Sequence, residues 1–188
     1  MEKIIIDLDD VLALDGYLNM MNDYFKRDYK YEDIEGYYCE DLLTKEELIE
    51  YRNYFRKNNV YDYSTVAPFS KEVLKKLFLC GRYELYVCSS YYSEIENMAF
   101  PELIPHKCEF IMKNYPFLSN KNFIFTNNKA LINADVRIDD VVNNLTGDNL
   151  NLLFTAYHNK ELTQEELQYE NIIRVNDWQD IEKILIKK

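Results

Sequence analysis

Apolar positions along this chain fall into short runs separated by amphipathic stretches. Lys3-Ile4-Ile5-Ile6-Asp7-Leu8 is an apolar run that meets acid at its end. That is the pattern of a strand buried on both faces. The same reading predicts strands over 83–88, 122–126, 135–139, 150–155 and 172–175. Val73, Leu74, Leu77 and Phe78 recur at helical spacing, with Ser70 to open the helix and Gly81 to end it. A closing helix is predicted over 178–186, with Trp178 docking it on the sheet. Strands alternating with helices predict an α/β fold with a mostly parallel sheet. In such sheets ligands gather beyond the carboxyl ends of the strands.

The stretch 14–66 breaks this rhythm. It holds no clear strand and reads as two helices, near 17–27 and 44–57. The second begins with Thr44-Lys45-Glu46-Glu47, a capping box. Between them lies the aromatic segment Gly36-Tyr37-Tyr38-Cys39. The expected organisation is a core of 1–13 and 67–188, with a helical cap of 14–66 inserted after the first strand. An insertion there overhangs the carboxyl edge of the sheet, where a lid belongs.

Charge narrows the function classes. The 188 residues carry 22 Lys+Arg against 33 Asp+Glu, a formal net charge of −11. Such a chain is a poor general binder of nucleic-acid polymers, because phosphate backbones reward Lys and Arg. A small anionic substrate remains compatible, since one lysine and one metal ion reverse the sign locally. The N-terminal apolar run is too short for a signal peptide or membrane span. Cys39, Cys80, Cys88 and Cys108 show no CxxC spacing and no zinc pattern. Reduced thiols in a cytoplasmic protein are expected, with Cys80 and Cys88 as small hydrophobes in apolar stretches.

The polar residues at the predicted strand ends carry the candidate chemistry. The first strand runs into Asp7-Leu8-Asp9-Asp10, the second into Cys88-Ser89-Ser90 and the fourth into Ile138-Asp139-Asp140, while Lys129 follows the third. Asp7 and Asp9 alternate in strand register, so they project the same way. Two such carboxylates repel unless a cation sits between them. A calcium-loop reading fails, for want of a Gly at its sixth position and a closing Glu. Each group also has an ordinary reading: an acidic turn, a helix cap, a solvated lysine. Their joint order is what raises the functional one.

In that order, Asp-x-Asp, Ser, Lys and Asp-Asp, the chain resembles the haloacid dehalogenase superfamily of phosphohydrolases. Within it, the chain is similar to the 5′(3′)-deoxyribonucleotidase family. The carrying segments are Asp7 to Ala13, Val87-Cys88-Ser89-Ser90, Asp135 to Asp140, and Leu153-Phe154-Thr155-Ala156-Tyr157-His158-Asn159. The resemblance implies a magnesium-dependent phosphatase for nucleoside monophosphates, deoxyribonucleotides foremost. Asp7 would be the nucleophile that forms an aspartyl phosphate, and Asp9 the general acid and then base. Magnesium would be held by Asp7, the backbone carbonyl of Asp9, and Asp140. Ser89, Ser90 and Lys129 would hold the phosphate oxygens, and Asp139 would orient Lys129 or a metal-bound water. Tyr37 and Tyr38 are the candidates to stack on the base; Tyr54, Phe55 and Tyr61 are further aromatics whose register is not fixed. A homodimer is compatible with the resemblance.

The chain also departs from its relatives. Asp10 stands where the animal enzymes have Gly, with its backbone N–H expected to face phosphate. Tyr91 stands where Pro is frequent. His158 is read as loop-shaping and His106 as surface or helix packing. Two other functions share the same residues: a phosphatase for another small ester, differing only in the cap, and a non-catalytic ligand-binding or interaction module.

Overall fold

The computed structural model describes residues 1–36, 38–93, 95–147, 150–169 and 171–186. Six parallel strands form the main sheet: β1 (Glu2–Ile6), β4 (Tyr83–Ser89), β7 (Phe123–Phe125), β8 (Val136–Asp139), β9 (Leu150–Phe154) and β10 (Ile172–Val175). Their spatial order is β10-β9-β8-β1-β4-β7. The apolar runs pair along their length: Ile4 lies opposite Leu85 on one side and Val136 on the other. Because all six run the same way, β1, β4 and β8 release Asp7, Ser89 and Asp139 at one edge.

The two faces of β1 are covered unequally. Ile4 and Ile6 join the main core with side chains from α3 (Ser70–Leu79), α4 (Leu103–Asn114) and α6 (Trp178–Leu185). Ile5 points the opposite way, as strand alternation requires, into a small cluster with Cys88 and Ala134. Trp178 is fully buried, and its Nε1–H donates to the Val11 carbonyl at 3.0 Å. The last helix thus anchors the turn that follows the first strand, beyond the docking on the sheet predicted for it.

Besides the short strands that bound the insertion, four elements are absent from the pattern reading. These are α4, a hairpin of β5 (Tyr92–Ser93) and β6 (Met98–Ala99), and the short α5 (Gln164–Tyr169). Pro101 and Pro105 punctuate the sequence leading into α4. Pro105 falls in the first helical turn, where its missing N–H costs nothing. Cys80 corrects a second expectation. It is exposed just past the end of α3, whereas Cys88 is buried within β4.

The chain leaves the core through β2 (Ala13–Leu14) and returns through β3 (Thr65–Val66), which pair antiparallel. Between them lie α1 (Gly16–Phe25), α2 (Lys45–Phe55) and single 3-10 turns. The capping box at α2 is formed on both sides: Glu47 N–H donates to the Thr44 hydroxyl and Thr44 N–H to the Glu47 carboxylate. Arg52 of α2 and Arg56 just past its end reach the hairpin loop. Arg52 Nε–H donates to the Ile95 carbonyl at 2.6 Å, and Arg56 grips Glu96 with two bonds of 2.8 and 2.6 Å.

Candidate active site

Asp7 follows β1 directly, and its N–H still donates to the Ile138 carbonyl at 2.9 Å. This last rung of the ladder fixes the backbone beneath the side chain. Oδ1 accepts from the Leu8 N–H at 2.7 Å, and Oδ2 lies 2.7 Å from Lys129 Nζ. Lys129 also reaches Asp139 Oδ2 at 2.8 Å. All three side chains are buried. Desolvation pulls the Lys129 ammonium toward neutrality, but Asp7 and Asp139 outweigh it and keep the group charged. Burial pushes the Asp7 carboxyl up to about 6, against the pull of Lys129 and with help from Asp139 and Asp9.

Asp139 Oδ1 accepts from the Val141 N–H and the Asn144 amide, so its carboxylate is pinned on both oxygens. Asp140 differs. Its Oδ2 lies 2.8 Å from His158 Nε2, while its Oδ1 is buried with no hydrogen-bond partner. Burial, then Asp7, Asp139 and Asp10, push this carboxyl well above the usual carboxylate range. Oxygens of Asp7, Asp139 and Asp140 lie within 4.8 Å of one another. A second such group is Asp10, Asp140 and His158. Three close buried carboxylates, one with an unpartnered oxygen, suit a hard divalent cation such as magnesium. His158 therefore does more than shape a loop. Desolvation lowers it to about 4, so it is neutral near pH 7, and with Asp140 ionised its Nε2–H orients that carboxylate. Asn159 secures the same residue from behind, donating to the Asp140 carbonyl at 2.8 Å.

Asp9 turns away from this cluster. Its Oδ1 accepts from the Tyr61 hydroxyl at 2.6 Å. Its Oδ2 takes Lys107 Nζ at 2.5 Å and the Ser89 hydroxyl at 3.1 Å. Burial raises this carboxyl, but Lys107 and Tyr61 outweigh burial and leave it below the usual range. Ser89 is fully buried and bonded to Asp9 and Lys107. Ser90 instead lines the open cavity, donating to Asn127 Oδ1 at 2.8 Å.

The backbone also corrects the reading of Asp10. Its N–H donates to the Ala13 carbonyl at 2.9 Å, so it closes a turn rather than facing phosphate. Asp10 has φ 55°, the left-handed region that glycine favours and Asp tolerates. At Tyr91 the N–H donates to Asn127 Oδ1 at 3.0 Å, a bond that Pro would lose.

A cavity of about 350 Å³ opens above these groups. Asp7, Asp9, Ser90, Lys129 and Asp140 form its polar floor. Tyr17, Tyr31, Tyr38 and Tyr157 line its walls. Tyr31 and Tyr157 stack at 4.5 Å between centroids, joining the insertion to the loop after β9. Tyr37 lies outside the described residues. Tyr54 and Phe55 pack among the aromatics inside the insertion and do not reach the cavity.

The family model for 5′ nucleotidase, deoxy (Pyrimidine), cytosolic type C protein matches residues 1–188. The chain belongs to this family. A 5′(3′)-deoxyribonucleotidase of Bacillus subtilis (strain 168) is 31% identical over 196 aligned residues, covering 99% of this chain and all of the relative. Two solved structures share the fold. A D,D-heptose 1,7-bisphosphate phosphatase from Burkholderia thailandensis aligns with TM-score 0.57, 11% identity and full coverage of both chains. A haloacid dehalogenase-like hydrolase from Burkholderia xenovorans aligns with TM-score 0.57 and 15% identity, over 98% of this chain and 96% of that one. The enzyme is a phosphoric monoester hydrolase. Among the described residues no helix is long and apolar enough to cross a membrane.

Three residues at or beside the site escaped the sequence reading. Lys107 left a usable signal, since it shares a helical stripe with Leu103, Phe110 and Ile111, all buried. A lysine on such a stripe needs a partner. Tyr31 and Tyr157 left none. They lie far apart in sequence, and their meeting is set by the placement of the insertion.

Proposed function

We propose that this enzyme is a magnesium-dependent phosphatase of nucleoside monophosphates, deoxyribonucleotides foremost, acting through an aspartyl phosphate on Asp7. The carrying observation is the position of Asp7 on the polar floor of a tyrosine-walled cavity, between Lys129 and the unpartnered oxygen of Asp140. A carboxylate oxygen of Asp7 attacks phosphorus, and the phosphorus–oxygen bond to the sugar breaks. Asp9, which Lys107 and Tyr61 hold ionised in the free enzyme, takes the proton of a monoanionic phosphate ester and gives it to the leaving oxygen. It then takes a proton from the water that cleaves the aspartyl phosphate, releasing inorganic phosphate. Lys129 and the Ser90 hydroxyl steady the non-bridging oxygens. Asp7 and Asp140 would hold the metal, which when bound screens the repulsion between carboxylate and phosphate. Residues 14–66 serve as the cap over a core of 1–13 and 67–188, and supply Tyr38 and Tyr31 to face the base.

Phosphate release from ribo- and deoxynucleoside monophosphates, a sugar phosphate and an aryl phosphate tests this reading. Each is assayed with magnesium and with chelator. Magnesium-dependent release strongest for deoxynucleotides, with a KM raised roughly threefold to tenfold by Tyr38→Ala, supports it. Release confined to the sugar or aryl ester would reject the nucleotide. No release would reject the mechanism.

Metal and protons compete for the same carboxylates. A carboxyl with a folded pKa raised from 3.8 to about 6 stabilises the fold fully below about pH 4 and loses that contribution as pH rises through about 6. Asp10, raised to about 7, acts in the same direction. His158, lowered to about 4, acts oppositely, its contribution growing as pH climbs from about 4 to about 6.5. Ionised and close-set, the carboxylates then await a cation. The rise in Tm on adding magnesium is therefore expected to grow between about pH 5 and pH 8. A magnesium effect on Tm that is flat with pH would contradict it.

A further inference from the structure

Lys107 is outside the cavity and only 2% exposed, yet it is tied to the candidate chemistry. Its ammonium lies 2.5 Å from Asp9 Oδ2, 2.7 Å from Ser89 Oγ and 5.6 Å from the centre of the Tyr61 ring. Tyr61 closes the arrangement by donating to the other oxygen of Asp9. Three separate elements thus grip one carboxylate: α4, the end of β4 and the 3-10 turn Val60–Asp62. An apolar side chain in place of this ammonium alone would strand the charge of its partner, so the partner's identity says what the ammonium is for. Here it faces a residue at the cavity floor and no other carboxylate among the described residues.

We propose that Lys107 is a positioning residue for the leaving-group step: it fixes the Asp9 carboxylate, through direct contact and through Ser89, at the place where the ester oxygen departs. The inference rests on the function proposed above. A general acid acts only within hydrogen-bond reach of its target, and a displacement of about 1 Å costs about 100-fold in rate. The penalty depends on the leaving group. A sugar alkoxide needs the proton as the bond breaks, whereas p-nitrophenolate departs without it. Loss of Lys107 therefore slows phosphoryl transfer from alkyl esters and spares the first release of p-nitrophenolate, a selectivity that general loosening of the fold would not create; the later hydrolysis of the aspartyl phosphate, with Asp9 as base, slows for every ester.

The test compares wild type, Lys107→Met and Lys107→Gln at saturating magnesium, on a deoxynucleoside 5′-monophosphate, a sugar phosphate and p-nitrophenyl phosphate. Lys107→Met is expected to lower kcat on the two alkyl esters by about 100-fold, and the pre-steady-state burst rate of p-nitrophenolate release from the aryl ester only a few-fold. Lys107→Gln, which keeps a donor, should recover part of the alkyl activity. A burst rate that falls as far as the alkyl turnover, or no fall in alkyl turnover, overturns the proposal. If Lys107→Met does not unfold cooperatively on heating, the Gln variant decides by the same criterion. Wild type inactive on the nucleotide but active on the sugar phosphate would overturn the nucleotide reading and leave Lys107 tested on the latter. Wild type inactive on both alkyl esters overturns both.

Discussion

Asp7→Asn is expected to lower phosphate release by at least about 1,000-fold on every ester the wild type accepts. Asparagine matches the volume of Asp7, and its amide oxygen still accepts from Leu8 N–H or Lys129, the two contacts that hold the native side chain. That oxygen is a poor nucleophile toward phosphorus, so the first bond does not form. The substitution also removes one of the buried charges that face Asp139 and Asp9. The variant is therefore expected to unfold cooperatively near the wild-type temperature, which separates lost chemistry from a lost fold. Rapid acid quenching followed by mass spectrometry supplies the direct check. Wild type turning over substrate should carry one phosphoryl group, and the variant none. Activity retained by the variant would move the attack to another group.

Lys129→Met should show the second large effect, on stability as well as rate. The methionine fills the slot but leaves Asp7 and Asp139 without the ammonium they share. Removing one partner of a buried ionic cluster costs about 3–5 kcal/mol. For a chain of this size that lowers Tm by roughly 6–20 °C. The deficit should shrink in acid, where the two carboxyls bind protons and stop repelling. The native Lys129 contribution has the matching sign: its folded pKa is raised, so it is present in full throughout the neutral range and lost only in strong alkali. Magnesium should narrow the gap, since a cation replaces part of the missing charge. Turnover should fall by about 100- to 1,000-fold, as for loss of a single transition-state donor. A Tm unchanged in chelator at pH 8 would contradict the account.

Much of this architecture could be read from residue order because a parallel sheet buries both faces of its strands. Ile4-Ile5-Ile6 is a continuous apolar block, Tyr83 to Cys88 is broken only by Glu84, and their polar successors mark the strand ends. Asp7, Ser89 and Asp139 could thus be placed at one edge before any coordinate was considered. Bounds moved by a residue or two: β4 includes Ser89, and β7 starts at Phe123 rather than at Asn122. What could not be read depends on packing between distant segments. His158 meets Asp140 only when the loop after β9 folds back. Asp9 meets Lys107 only because α4 crosses the carboxyl edge near Ser89. The two prolines of that region hid the helix, and with it the lysine.

The place of β1 between β4 and β8 also has a consequence for a chain emerging from the ribosome. The strand that leads into Asp7 precedes the rest of the sheet along the chain, yet one of its two neighbours is made only after most of the chain has appeared. Until then Ile4 to Ile6 keep one hydrogen-bonding edge bare, and the Val11 carbonyl waits for Trp178. Such long-range pairing is slow to close, and a stalled chain of this kind exposes an aggregation-prone strand edge. The nascent protein is therefore vulnerable on its own account, and its buried charged cluster is completed last, because Lys129, Asp139 and Asp140 join Asp7 only late in translation.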